Sequence, residues 1–146
     1  KTLCLIQEVD RPNVEVLLDL GHASQGGENP AESIAFLQRP GVRKLGYMHF
    51  NDNWHCWDDD MMVGSVHQAE LLEVMYWLLR TKYTGWLTLD IFPYREDGVK
   101  AASESIAWIE GALAIIERVG LKTIDDLLKK ADATEVSRFL RECFLK

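Results

Sequence analysis

The chain has 146 residues, 47% of them hydrophobic and 27% charged, with a formal net charge of -7. These proportions suit one soluble globular domain able to bury a core. The acidic balance argues against a nucleic-acid surface, which needs clustered Lys and Arg, and no apolar run approaches the roughly 18 residues of a membrane span.

Residues 1–10 read as the end of a helix, closed by Arg11-Pro12-Asn13, because proline disfavours helix in the residue before it. Val14 to Asp19 (VEVLLD) is a short, β-branched and apolar run of strand length. Gly21 to Asn29, rich in glycine and polar residues, predicts a loop. Pro30 suits a first helical position, and the helix continues to Gln38 before Pro40-Gly41 breaks it. Lys44 to Phe50 (KLGYMHF) is a second strand, followed by a long polar loop, Asn51 to Gly64.

From His67 to Arg80, Leu71, Leu72, Met75, Leu78 and Leu79 recur at helical spacing. Tyr83-Thr84-Gly85 turns the chain into a third strand, Trp86 to Ile91. A loop with Pro93, Asp97 and Gly98 leads to a long helix around Ala101 to Arg118. After Gly120, Thr123 begins a T-x-x-D capping pattern, and Thr134-Glu135 opens another short helix. Strands alternating with amphipathic helices imply a parallel sheet. Residues 1–120 are expected to form one α/β unit and residues 121–146 a helical extension.

Cys4, Cys56 and Cys143 are odd in number, scattered and without a CxxC pair, which suggests reduced thiols in a cytoplasmic protein. Nothing at the N-terminus reads as a signal peptide. The chain opens at Lys1 rather than methionine, which reads as a processed or truncated start.

Three strands are too few to close a barrel, since a (β/α)8 barrel takes roughly 250 residues. The chain is therefore an open α/β layer or part of a barrel. Its apolar strands VEVLLD and WLTLDIF are expected to need burial on both faces. A second copy, a partner or a longer polypeptide would supply that cover.

Each strand ends, on its C-terminal side, in a metal-competent residue. The first ends in Asp19, with His22 three residues later. The second ends in His49, followed by Asn51, Asp52 and Asn53, and the third in Asp90. Parallel α/β architectures build their sites at these strand ends. Oxygen and imidazole donors together suit manganese, cobalt, magnesium or zinc. Taken singly, Asp19 could cap the next turn and His49 could be structural. Asp58-Asp59-Asp60 could be a solvated acidic loop. Asp90 is harder to place that way, because a carboxylate beside a core needs a charged partner or metal. Trp54 and Trp57 could stack on a ligand or pack, whereas Trp86 is expected to pack in the core. Arg95 could bind a ligand or pair with Glu96 or Asp97.

The segments LLDLGHA (Leu17–Ala23), HFNDNWHCWDDD (His49–Asp60) and LTLDIFPYRED (Leu87–Asp97) resemble the xylose isomerase-like TIM-barrel superfamily over roughly residues 5–118. That group includes sugar isomerases, ketose 3-epimerases and AP endonucleases. The pattern is most similar to the L-rhamnose isomerase-like branch, with D-x-x-H at Asp19 and His22 and an aspartate, not a glutamate, as the last ligand. The resemblance implies the C-terminal portion of a (β/α)8 barrel with about three parallel strands. It implies that Asp19, His49 and Asp90 bind a first metal, with a glutamate from an earlier strand that has no counterpart in this sequence. It implies that His22, Asp58 and Asp60 hold a second, catalytic metal, with manganese the first choice and cobalt, magnesium or zinc as alternatives. Asn51, Trp57 and Arg95 are then expected to contact a sugar, with Asp90 and His22 in catalytic roles. The expected activity is aldose–ketose isomerisation or ketose epimerisation, by hydride shift or through an enediolate. The alternatives are an AP endonuclease IV-like phosphodiesterase and a non-catalytic metal-binding barrel subunit. The expected partner is a small sugar, with no nucleic acid and no membrane.

Overall fold

The computed structural model describes residues 1–145. In chain order the elements are α1 (Thr2–Val9), β1 (Val16–Asp19), α2 (Leu20–Gln25), α3 (Pro30–Leu37), β2 (Leu45–Phe50), α4 (Gln68–Arg80), β3 (Trp86–Leu89), α5 (Gly98–Val119), α6 (Leu121–Lys130) and α7 (Ala133–Phe144). The three strands form one parallel sheet in the order β1-β2-β3. The alternating pattern expected from the sequence is therefore present, as the flanked, three-stranded portion of a barrel.

Register decides which side chains share a face. Leu18 pairs with Met48 and Met48 with Leu87, while Asp19 pairs with His49 and His49 with Thr88. On one face Leu18, Met48 and Phe50 are buried and join Ile34 of α3, Val74 and Met75 of α4 and Ile116 of α5 in a single core. A side chain of this size contributes about 1.5–3 kcal/mol on full burial, so this face carries the fold. On the other face Leu17 is 48% and Trp86 76% exposed. Burial of both faces, and of Trp86 in particular, is not what the structure shows. The helices cover one side of the sheet only, and β3 lies at its edge.

Local capping explains most boundaries. Asn29 accepts a hydrogen bond from Glu32 N–H at 2.9 Å, with Pro30 behind it in the first turn. Asp97 caps α5 through Lys100 N–H at 3.0 Å, so that helix starts at Gly98 rather than Ala101. Two readings need correction at the C-terminal end. Thr123 lies inside α6, whose cap position is Gly120 at φ +84°; its hydroxyl donates back to Val119 O at 2.9 Å. Asp132, not Thr134, caps α7, accepting from Thr134 N–H at 2.8 Å.

The stretch expected as a loop, Gly21 to Asn29, starts instead inside α2, which runs to Gln25. The helices α6 and α7 lie against the core through Ile124, Phe139 and Leu140. Cys4, Cys56 and Cys143 are free thiols. No helix among the described residues is long and apolar enough to cross a membrane.

Candidate metal centre

The site begins with Asp19, the last residue of β1. Its Oδ1 accepts the His22 N–H at 3.0 Å and so starts α2. Its Oδ2 lies 3.4 Å from His49 Nδ1 on the neighbouring strand. One carboxylate oxygen thus caps α2 while the other faces His49. Asp19 is 7% exposed, and a carboxylate that deep needs donors or a cation.

Asn51, one residue past β2, supplies a donor. Its Nδ2 donates to Asp19 Oδ1 at 3.2 Å and reaches Asp60 Oδ1 at 3.4 Å. Its Oδ1 accepts the Gly21 N–H at 2.7 Å. The first turn of α2 therefore has two side-chain caps, one from 30 residues away. That second cap is what makes a helix of a stretch that reads locally as loop. Asn51 was expected to contact substrate. It is 4% exposed, and both ends of its amide are engaged in holding the carboxylates and α2.

Asp90 follows β3 directly, its N–H bonded to Phe50 O at 3.0 Å. Its Oδ2 sits 2.8 Å from His49 Nδ1. Single ligand atoms of Asp19, His49 and Asp90 all lie within 4.8 Å of one another.

The long loop after β2 brings the remaining acids back to this point. Asp52 and Met61 form an antiparallel bridge, Asp52 N–H to Met61 O at 3.0 Å and the reverse at 2.9 Å. Asp60 O also accepts the Phe92 N–H at 2.8 Å, fastening the loop beside β3. Asp59 accepts the Trp54 N–H at 3.2 Å within the loop. Asp58 Oδ2 lies 3.5 Å from His22 Nε2, and Asp58 Oδ1 is buried without a hydrogen-bond partner among the described residues.

Electrostatics show how close these groups lie. Burial raises the Asp60 carboxyl above the usual carboxylate range, and the negative charges of Asp58, Asp90 and Asp19 raise it further. His22 acts in the opposite direction. Asp19, Asp58, Asp60 and Asp90 thus crowd one region beside the imidazoles of His22 and His49. The crowded carboxylates and the orphaned Asp58 oxygen are what a divalent cation would satisfy, and the oxygen-rich donor set fits manganese, magnesium, cobalt or zinc.

Arg95 lines a groove with Asp60, Phe92 and Tyr94. Trp57 is 71% exposed and Trp54 63% exposed on the loop. A second group went unnoticed in the sequence: His55, His67 and Glu70 also place ligand atoms within 4.8 Å of one another. The H-x-x-E spacing at the start of α4 was its one local signal.

The xylose isomerase-like TIM barrel family matches residues 1–112. An uncharacterized protein of Methanocaldococcus jannaschii is 28% identical over 86 residues, covering 59% of this chain and 28% of that protein. A D-tagatose 3-epimerase-like protein of known crystal structure superposes with a TM-score of 0.64 at 24% identity, over 82% of this chain and 42% of that one. The chain thus spans less than half the length of either. With three parallel strands, flanking helices and a match over most of its length, the chain belongs to the xylose isomerase-like TIM-barrel family.

Proposed function

We propose that this chain carries the C-terminal part of a divalent-metal-dependent sugar isomerase or ketose epimerase, of the L-rhamnose isomerase-like kind. The observation that supports it is the convergence of Asp19, His49 and Asp90 with His22, Asp58 and Asp60 at the carboxyl ends of the strands. In this reading Asp19, His49 and Asp90 hold one ion, and His22, Asp58 and Asp60 a second. Manganese is the first choice. Such an ion supplies Lewis acidity to a sugar carbonyl and to the charge that develops on its oxygen.

The chain's own side chains divide the remaining work. Asp90 is 52% exposed at its side chain, so a substrate carbon can approach its carboxylate as a proton acceptor, whereas Asp19, 7% exposed, is shut off from substrate. Asn51 keeps Asp19 and Asp60 in place. Arg95 and the exposed Trp57 offer hydrogen-bonding and stacking surfaces for a polyol.

The reading extends to the whole protein. Further barrel strands, from a longer polypeptide or a second copy, would pair at the open edges β1 and β3, and the uncovered face at Leu17 and Trp86 would line the barrel interior. The helical extension expected over residues 121–146 follows the barrel portion in this reading, with Lys146 outside the described residues, and the protein works in the cytoplasm. Light scattering on the purified chain reads the assembly. The activity test is an aldose–ketose interconversion assay with Mn²⁺ on a polypeptide carrying the complete barrel. His22→Ala is expected to lose turnover while keeping the fold and the first ion; unchanged turnover would remove His22 from the centre.

A further inference from the structure

The group at His55, His67 and Glu70 is separate from the centre described above and shares no donor with it. His67 stands at the cap position of α4, and Glu70 lies in that helix's first turn. His55 is on the loop after β2, at φ +64°. His67 Nε2 and His55 Nε2 are 2.5 Å apart, and Glu70 Oε1 is 3.9 Å from His55 Nε2.

What makes this more than three neighbouring side chains is Asp52. That carboxylate is 6% exposed. Its Oδ2 accepts the N–H groups of Val66 at 2.8 Å and His67 at 3.0 Å. Its Oδ1 accepts the Asn53 N–H at 2.9 Å and faces His67 Nδ1 at 2.7 Å. An acceptor in this setting holds the proton of His67 on Nδ1, so Nε2 presents its lone pair outward, toward His55. A carboxylate behind one imidazole nitrogen and an open lone pair on the other is the arrangement that orients histidine for a metal.

We propose that His55, His67 and Glu70 form a further, independent cation site, selective for Zn²⁺, with Asp52 orienting His67. Two imidazoles and one carboxylate favour zinc over manganese or magnesium, the reverse of the aspartate-rich centre. Tetrahedral zinc, with Zn–N near 2.0–2.1 Å, holds two imidazole nitrogens roughly 3.4 Å apart. His67 is fixed by Asp52, and His55 is exposed on its loop, so His55 is the side chain that shifts outward on binding. The ion then ties the tip of the loop to the start of α4. That loop carries Asp58 and Asp60, so zinc here would steady two acids of the first centre without touching them.

Zinc alone, titrated in competition with a chromophoric chelator, tests this. The protein with His22→Ala, His49→Ala and Asp90→Ala lacks donors to both ions of the first centre and is expected to keep one equivalent of Zn²⁺. Adding His55→Ala to that background should weaken binding at least tenfold, and adding His67→Gln should do the same. If that triple variant does not fold by circular dichroism, His55→Ala alone, an exposed loop change, should lower the zinc stoichiometry of the otherwise unaltered chain by one. Zn²⁺ should also raise Tm in the unaltered chain more than in His55→Ala. Zinc binding that is indifferent to both His55→Ala and His67→Gln would overturn the proposal. Manganese content, measured on the same proteins, reports separately on the first centre: its loss in the triple variant, and its retention in His55→Ala, are expected.

Discussion

Asn51 Nδ2 lies 3.2 Å from Asp19 Oδ1, so a neutral amide supports the same carboxylate oxygen that caps α2. The same side chain satisfies the Gly21 N–H. Asn51→Ala leaves both groups short of a partner inside the protein. The expected loss of stability is about 1–3 kcal/mol, read by urea denaturation. Metal affinity is expected to fall roughly 10–100-fold, as when an outer support of a metal ligand is removed.

Gly21 is required by packing. A Cβ there would sit 2.7 Å from Asn51 Oδ1 and 3.2 Å from Asn53 Nδ2. Both side chains are buried and tethered to Gly21 itself, Asn53 through a 2.8 Å bond to Gly21 O. Gly21→Ala is expected to cost about 1–3 kcal/mol from overcrowding. Because Asn51→Ala opens that space, the double variant should be more stable than the sum of the two single losses. Strict additivity in a double-mutant cycle would place the clash elsewhere.

Asp90 touches His49 at 2.8 Å yet is 52% exposed at its side chain. Removing it therefore tests binding with little effect on folding. Asp90→Ala should lose Mn²⁺ or Co²⁺ on dialysis and elemental analysis while its stability stays within about 0.5 kcal/mol of the parent. Equal metal content in the two proteins would remove Asp90 from the donor set.

The two sheet faces should respond differently to truncation. Phe50 is 0% and Trp86 76% exposed. Phe50→Ala is expected to cost about 3–5 kcal/mol, and Trp86→Ala no more than about 0.5 kcal/mol. A comparable cost for Trp86→Ala in urea denaturation would show that the open face is covered in solution.

Tyr76 and Asp125 link α4 to α6, with the phenol donating to the carboxylate and Arg80 Nε 3.0 Å from the same oxygen. Burial, then the bond to Asp125, pushes the Tyr76 hydroxyl up to about 12. The Tyr76 bond in turn holds the Asp125 carboxyl below its usual range. A lowered carboxylate contributes stability above its unfolded value, near pH 3.9, and loses it as pH falls through the folded one. A raised phenol contributes below its unfolded value, near pH 10, and loses it as pH rises toward the folded one. The Tm difference between the parent and Tyr76→Phe should thus be flat through neutral pH. It should shrink below about pH 4 and again above about pH 10. A difference that stays constant from neutral pH far into acid would argue that it does not depend on the ionised Asp125 carboxylate.

Periodicity and turn chemistry in the sequence were enough for the alternation of strands and helices, because those signals are local: the apolar spacing of α4, the proline of α3, the short β-branched run of β1. The acids and imidazoles at the strand ends were legible too, since a parallel sheet brings successive strand ends together whatever the details of packing. Tertiary structure alone decided three things. The helix α2 exists because Asn51, 30 residues distant, caps its first turn, and no local window contains that bond. Trp86 is exposed because its side of the sheet is uncovered, and hydrophobicity says that a side chain favours burial without saying what is there to bury it. His55, His67 and Glu70 meet because the Asp52–Met61 bridge folds the loop back upon the start of α4. Such a meeting depends on where a loop closes, and loop closure is set by hydrogen bonds formed only in the folded chain.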